Sequence, residues 1–206
     1  MKNTKSILVV AALAMSTASF AQLPKAIAST STQSTEAVAD SSVILLDKAL
    51  SANTSGNNAA TALALKSSVE SIEKSTANST GDFKDKLLSQ VGNLKKLIPL
   101  AQSGALNGGV LQKAIALVKM AMGANQLSSI LGGKSSLVSN VAGLTSNLGL
   151  MKGGLSLLGG DSAKTGSSLI NTAMSSVGML SKVGASTEPA TKKSIGGVLD
   201  FAKGLL

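Results

Sequence analysis

The chain is expected to be an all-α protein: a Gly/Ser/Ala-rich multi-helix bundle of amphipathic helices that follows a cleaved signal peptide. Three observations carry this. Apolar residues recur three and four positions apart in one segment after another, the spacing of a helix face. No stretch shows a convincing period-two alternation, and β-branched and aromatic residues are too sparse for a sheet core, with three Phe and no Trp or Tyr in 206 residues. Ser (32), Leu (30), Ala (28) and Gly (21) make up more than half of the chain. Small residues at helix interfaces let backbones approach closely.

The first 21 residues have the layout of a secretory signal. Lys2 and Lys5 give a positive start, and Ile7 to Met15 is an unbroken apolar run. Small residues at Ser19 and Ala21 suit cleavage after Ala21. The apolar run is too short to span a bilayer, which needs about 20 residues. The expected destination is therefore secreted or periplasmic, in a bacterial style of signal. Residues 22–34, rich in Ser, Thr and Ala, are expected to form a flexible tail.

A helical domain is expected over 35–206. Its first helix, Thr35 to Ser51, places Val38, Ser42, Leu45 and Ala49 on one stripe, which Leu46 and Leu50 widen. Residues 51–58 (SANTSGNN) have the composition of a linker. Ala59 to Ala77 follows, with Ala62, Leu65, Val69 and Ile72 in a heptad seam. Asp82 to Ile98 is the clearest amphipath: Phe83, Leu87, Val91, Leu94 and Ile98 share a face, and Pro99 ends or kinks it. Val110 to Met122 carries Val110, Ala114, Leu117 and Ala121. Ser135 to Met151 carries Leu137, Val141, Leu144, Leu148 and Met151. Ser167 to Val183 carries Leu169, Ala173, Val177 and Leu180. Pro189 to Leu206 carries Ile195, Val198, Ala202 and Leu205, with Ser186 or Thr187 as its cap. Several Gly fall inside these segments, each costing about 1 kcal/mol relative to Ala, so the bundle must be stabilised by packing.

Composition excludes much chemistry. There is no His and no Cys, and all 19 positive residues are Lys. His-based acid–base pairs, thiol nucleophiles, disulfides and soft-metal sites are out of reach. No cofactor is expected and no enzymatic activity. Without Arg the commonest bidentate base contact is missing, and without Trp or Tyr there is no stacking platform, so nucleic acid is not an expected partner.

Short motifs resolve against catalysis. Gly133-Lys134-Ser135 ends like a phosphate-binding loop and Val43 to Asp47 like its acidic strand, but position 128, where the loop needs Gly, is Ser. Ser71-x-x-Lys74 and Lys164-Thr165-Gly166 match two elements of serine β-lactam-reactive enzymes, yet the middle Ser-x-Asn element is absent between them. Asp82 and Asp85 are explained by the positive end of a helix dipole. Ser129-Ile-Leu-Gly-Gly followed by Ser135-Ser136 resembles Ser156-Leu-Leu-Gly-Gly followed by Ser167-Ser168, a pattern that either a duplication or this biased composition produces.

Charge is the remaining signal. Residues 22–81 balance to −1, whereas 82–206 hold 13 Lys against five acids, and no acid occurs between Lys86 and Gly160. Such a stretch is drawn to anionic surfaces, or it is a solvated face that keeps the protein soluble. The candidate contact residues are Lys84, Lys86, Lys95, Lys96, Lys113, Lys119, Lys134 and Lys152. The expected function is non-enzymatic surface association, with an anionic membrane or envelope component, a protein partner or a second copy. The alternative is membrane insertion or pore formation. It rests on two uncharged, Lys-flanked segments, Ser135 to Met151 and Thr165 to Ser181, and on Gly149-x3-Gly153, which resembles a close-packing membrane motif.

Overall fold

A computed structural model describes residues 35–77, 79 and 81–206; the expected signal peptide at 1–21 and the expected tail at 22–34 lie outside the described residues. The described residues are helical and include no strand. The α-helices are α1 (Thr35–Thr54), α2 (Asn58–Ala77), α3 (Lys84–Lys96), α4 (Ile98–Gln102), α5 (Gly108–Gly132), α6 (Val141–Leu158), α7 (Gly160–Val183) and α8 (Glu188–Leu205). Short 3-10 turns, Leu137–Asn140 and Ala185–Thr187, lead into α6 and α8.

The stretch expected as a linker, 51–58, is mostly helix: α1 continues to Thr54 and only residues 55–57 connect it to α2. Polar composition marks a turn but does not delimit it. The Thr54 and Ser55 hydroxyls donate to the carbonyls of Leu50 and Ser51 and so keep to the helix. The reversal is made at Gly56, whose φ of 70° suits glycine. Asn57 then caps α2, its Oδ1 accepting from the Ala60 N–H at 3.0 Å.

Pro99 acts as expected. It has no N–H and cannot continue α3, so α3 stops at Lys96 and a one-turn helix, α4, restarts with Pro99 in its first turn. The apolar side chain buried at this bend is Leu97, while Ile98 is half-buried.

α5 is the spine of the bundle. It packs against α1, α3, α6 and α8, and both hydrophobic cores use it. One core gathers α1 to α4 around Leu111, Ile115, Val118 and Met122. The other gathers α6 to α8 around Met120, Ala124 and Leu127, and includes Phe83. The helix is longer than the expected span, Val110 to Met122, and of the expected stripe it fully buries only Ala121. Val110 is 50% exposed and Leu117 half-buried, while Leu111, Ile115 and Val118 are fully enclosed. A helix enclosed on several sides has no preferred face, so periodicity cannot find one. Gly108 and Gly109 resemble breakers in sequence; here Asn107 caps them, accepting from Gly109 N–H at 2.9 Å.

Hydroxyl-rich helices could leave buried polar groups unpaired. Instead the hydroxyls bond back to their own helices, as Ser68 does to the Leu65 carbonyl and Thr191 to the Thr187 carbonyl. Others cross between helices: Ser42 donates to Ser71, joining α1 to α2, and Ser176 bonds Ser194, joining α7 to α8. Small residues thus provide both close approach and polar pairing.

Candidate functional site

Folding sorts the eight candidate lysines. Lys119 is not a surface residue: it sits on the enclosed spine helix, its side chain 8% exposed, and its Nζ lies 2.5 Å from Asp47 Oδ1 on α1. Asp47 stays 54% exposed, so the pair spans from core to solvent. Lys119 is buried because every residue around the middle of a central helix is enclosed, and a buried ammonium needs a carboxylate partner.

Lys84 and Lys86 serve as helix-end partners. Lys84 donates to the Ala77 carbonyl in the last turn of α2, and Lys86 to the Lys203 carbonyl in the last turn of α8. Cations are favoured at helix C-termini. Lys95 pairs with Glu73 on α2 at 3.3 Å, with both side chains well exposed. Lys152 donates to the Asn171 side chain, which leaves its charge uncompensated. Lys96, Lys113 and Lys134 are exposed. Within the acid-free run, Lys119 is therefore enclosed, and Lys86 and Lys95 are engaged by neighbouring helices.

A cluster that charge counting does not single out forms at one end of the bundle. Glu188, in the first turn of α8, accepts hydrogen bonds from the Ser136 hydroxyl and from the Leu137 N–H, the latter at 2.9 Å. This ties the link after α5 to the start of α8. The Ser136 bond is the main reason the Glu188 carboxyl is held below the usual carboxylate range; burial opposes it, and the amides of Leu137 and Val138 and the Lys192 charge add to it. The local signal is present in part: an acid in the first turn of a helix whose expected cap, Thr187, makes no cap bond with its side chain. The distant partner, Ser136, is invisible to local reading.

The sign of the pH effect follows. A carboxylate with a lowered folded-state pKa stabilises the fold above the ordinary carboxylate range and loses that contribution as pH falls through the lowered value. The Leu137 amide resonance should therefore titrate below the range of an unpaired Glu, and Glu188→Gln should abolish that titration. An unchanged amide shift across this range would refute the link.

The sequence motifs stay apart. Ser71 belongs to α2 in the first core, where it accepts from Ser42. Gly166, of Lys164-Thr165-Gly166, is buried on α7 against Phe201 and Leu155 in the second. Val43 to Asp47 lies within α1, not on a strand. The two Ser-x-Leu-Gly-Gly segments both end helices, but Ser135-Ser136 stays in a link while Ser167-Ser168 is inside α7. The Gly149 and Gly153 pair faces open space on α6. Among the described residues no group of three or more acids, His or Cys could hold a metal ion. One described helix, α5, is long and apolar enough to cross a membrane by length and composition, and most of that stretch is buried in the fold.

Comparison with known proteins gives no match, either to a family model, to a curated protein or to a solved structure.

Proposed function

We propose that this is a secreted or periplasmic, non-enzymatic helical protein that associates through charge with an anionic surface of the cell envelope. The observation that supports it best is the charge left after folding. Lys96, Lys113, Lys134, Lys152, Lys182, Lys192 and Lys193 remain exposed without an ion pair among the described residues, in a region where Lys outnumbers acid 13 to five. The best apolar faces are turned inward, as at Leu87, Val91 and Leu94 on α3. Association by this surface is therefore electrostatic and reversible, each Lys contributing about 1 kcal/mol near an anionic bilayer. It fades within a Debye length of about 8 Å at physiological salt.

Co-sedimentation with vesicles tests this. Binding to anionic vesicles should be clear at low salt and lost at about 0.5 M, where screening is stronger, with no binding to neutral vesicles. Absence of binding to anionic vesicles at low salt would sink the reading.

Membrane insertion is the second reading; α5 has the length and apolar composition for it, but two thirds of that stretch (67%) is buried in the fold. The two Lys-flanked segments, Ser135 to Met151 and Thr165 to Ser181, are weaker as inserting units. Leu144, Leu148, Ile170 and Leu180 within them are fully buried in the second core. Salt-resistant binding with release of a trapped dye would replace surface association by insertion.

A further inference from the structure

We propose that one end of the bundle, where the link after α5 meets the α7–α8 turn, is the face that docks on anionic lipid headgroups. This rests on the surface-association reading and names its contact face.

Glu188 builds the face. By accepting from Ser136 and Leu137 it fastens the link carrying Lys134 against the start of α8. Lys192, one turn along α8, acts on the same carboxylate. Lys193 follows it, and Lys182 lies in the last turn of α7, two residues before Gly184 opens the turn. All four lysines are exposed. The acid among them is Glu188, whose carboxylate charge offsets one of the four lysines. Another acid, Asp82, has its backbone N–H on Ser128 near the end of α5, and Lys84 stands two residues from it.

Exposed apolar side chains accompany the charge. Val138, directly after the Glu188-bound Leu137, is 40% exposed; Val183, beside the turn, is 63% exposed; Met179, one turn back on α7, is 50% exposed. This combination decides between two anionic partners. A soluble acidic polysaccharide would reward the lysines and give nothing for the valines. A bilayer surface rewards both, because the headgroup region takes small apolar tips while Lys stems lie along it with their ammonium groups at the phosphates. The absence of Trp and Tyr keeps the contact shallow.

The test compares two full-length variants of equal charge loss. One changes the end-face residues, Lys134, Lys182, Lys192 and Lys193, to Gln. The other changes Lys66, Lys96, Lys113 and Lys152, exposed residues elsewhere, to Gln. Vesicles are phosphatidylglycerol and phosphatidylcholine, and alginate is the soluble polyanion. At about fivefold per Lys, the end-face variant should lose at least about a hundredfold in partitioning to vesicles, and the other should stay within about tenfold of the parent. Val138→Ser with Val183→Ser should weaken vesicle binding severalfold without changing alginate binding. Equal losses in the two Lys variants would overturn this face while leaving surface association standing. Alginate binding as tight as vesicle binding, with no effect of the Val changes, would overturn the choice of lipid. No vesicle binding by the parent protein would remove the functional reading and the face with it.

Discussion

Phe83→Ala is expected to lower stability by about 3–5 kcal/mol, the range for deleting a fully buried ring. The side chain is 1% exposed. It precedes α3, and along the sequence it shares a stripe with Leu87, Val91 and Leu94. In the fold those three belong to the first core, whereas Phe83 packs into the second with Met120, Leu127 and the α6 to α8 residues. The ring therefore fastens α3 to the second core across the spine. The Lys203 ammonium lies 5.9 Å from its centroid, a contact worth about 0.5–1 kcal/mol at exposed sites. Leu94→Ala, inside the first core alone, should cost about 2–5 kcal/mol. Urea unfolding of both variants measures this. A loss below about 1 kcal/mol for Phe83→Ala, far short of what truncating an enclosed ring costs, would mean that the ring does not join the cores.

The glycines give a prediction of opposite signs. Gly123 on α5 and Gly154 on α6 face each other's helices. A Cβ at Gly123 would stand 2.8 Å from the Asn147 carbonyl oxygen, and one at Gly154 would stand 2.7 Å from that of Ala116. These are backbone atoms of a packed neighbour and cannot move aside cheaply. Gly123→Ala and Gly154→Ala should therefore each destabilise by about 1–3 kcal/mol by overpacking, despite the better helix propensity of Ala. Gly149→Ala and Gly153→Ala meet open space. They should each stabilise by about 0.5–1 kcal/mol, as expected for Gly in a helix interior. For a chain of this size 1 kcal/mol moves Tm by about 2–4 °C, so thermal unfolding resolves all four. The same sign in both pairs would refute a glycine-mediated approach of α5 and α6.

The Gly149-x3-Gly153 spacing resembles a helix contact, yet the glycines that make one are Gly123 and Gly154, one on each helix. Whether a glycine lies at a contact depends on what stands opposite it, and that partner is distant in sequence. The same holds for the lysines. Lys84, Lys86, Lys95 and Lys119 are taken up by Ala77, Lys203, Glu73 and Asp47. None of these partners follows from counting charge along the chain. Lys182, Lys192 and Lys193 lie outside the acid-free run, and Glu188, between them in the chain, bonds to Ser136, two residues from Lys134.

The helical class is legible in the chain alone, and so are the buried faces of helices with one side to the core. Ala62, Leu65, Val69 and Ile72 on α2 are buried as spaced, as are Leu144, Leu148 and Met151 on α6 and Ala173, Val177 and Leu180 on α7. One-sided burial imposes a 3.6-residue period, and that period is a local property of the chain. Long-range packing settles the rest: the length and enclosure of α5, the placing of Phe83 in the second core, the burial of Lys119 beside Asp47, and the bond of Glu188 to the link after α5. Each of these depends on groups from segments far apart in the chain. A helix surrounded by neighbours carries no period, and a charge carries no record of its partner until the chain has folded.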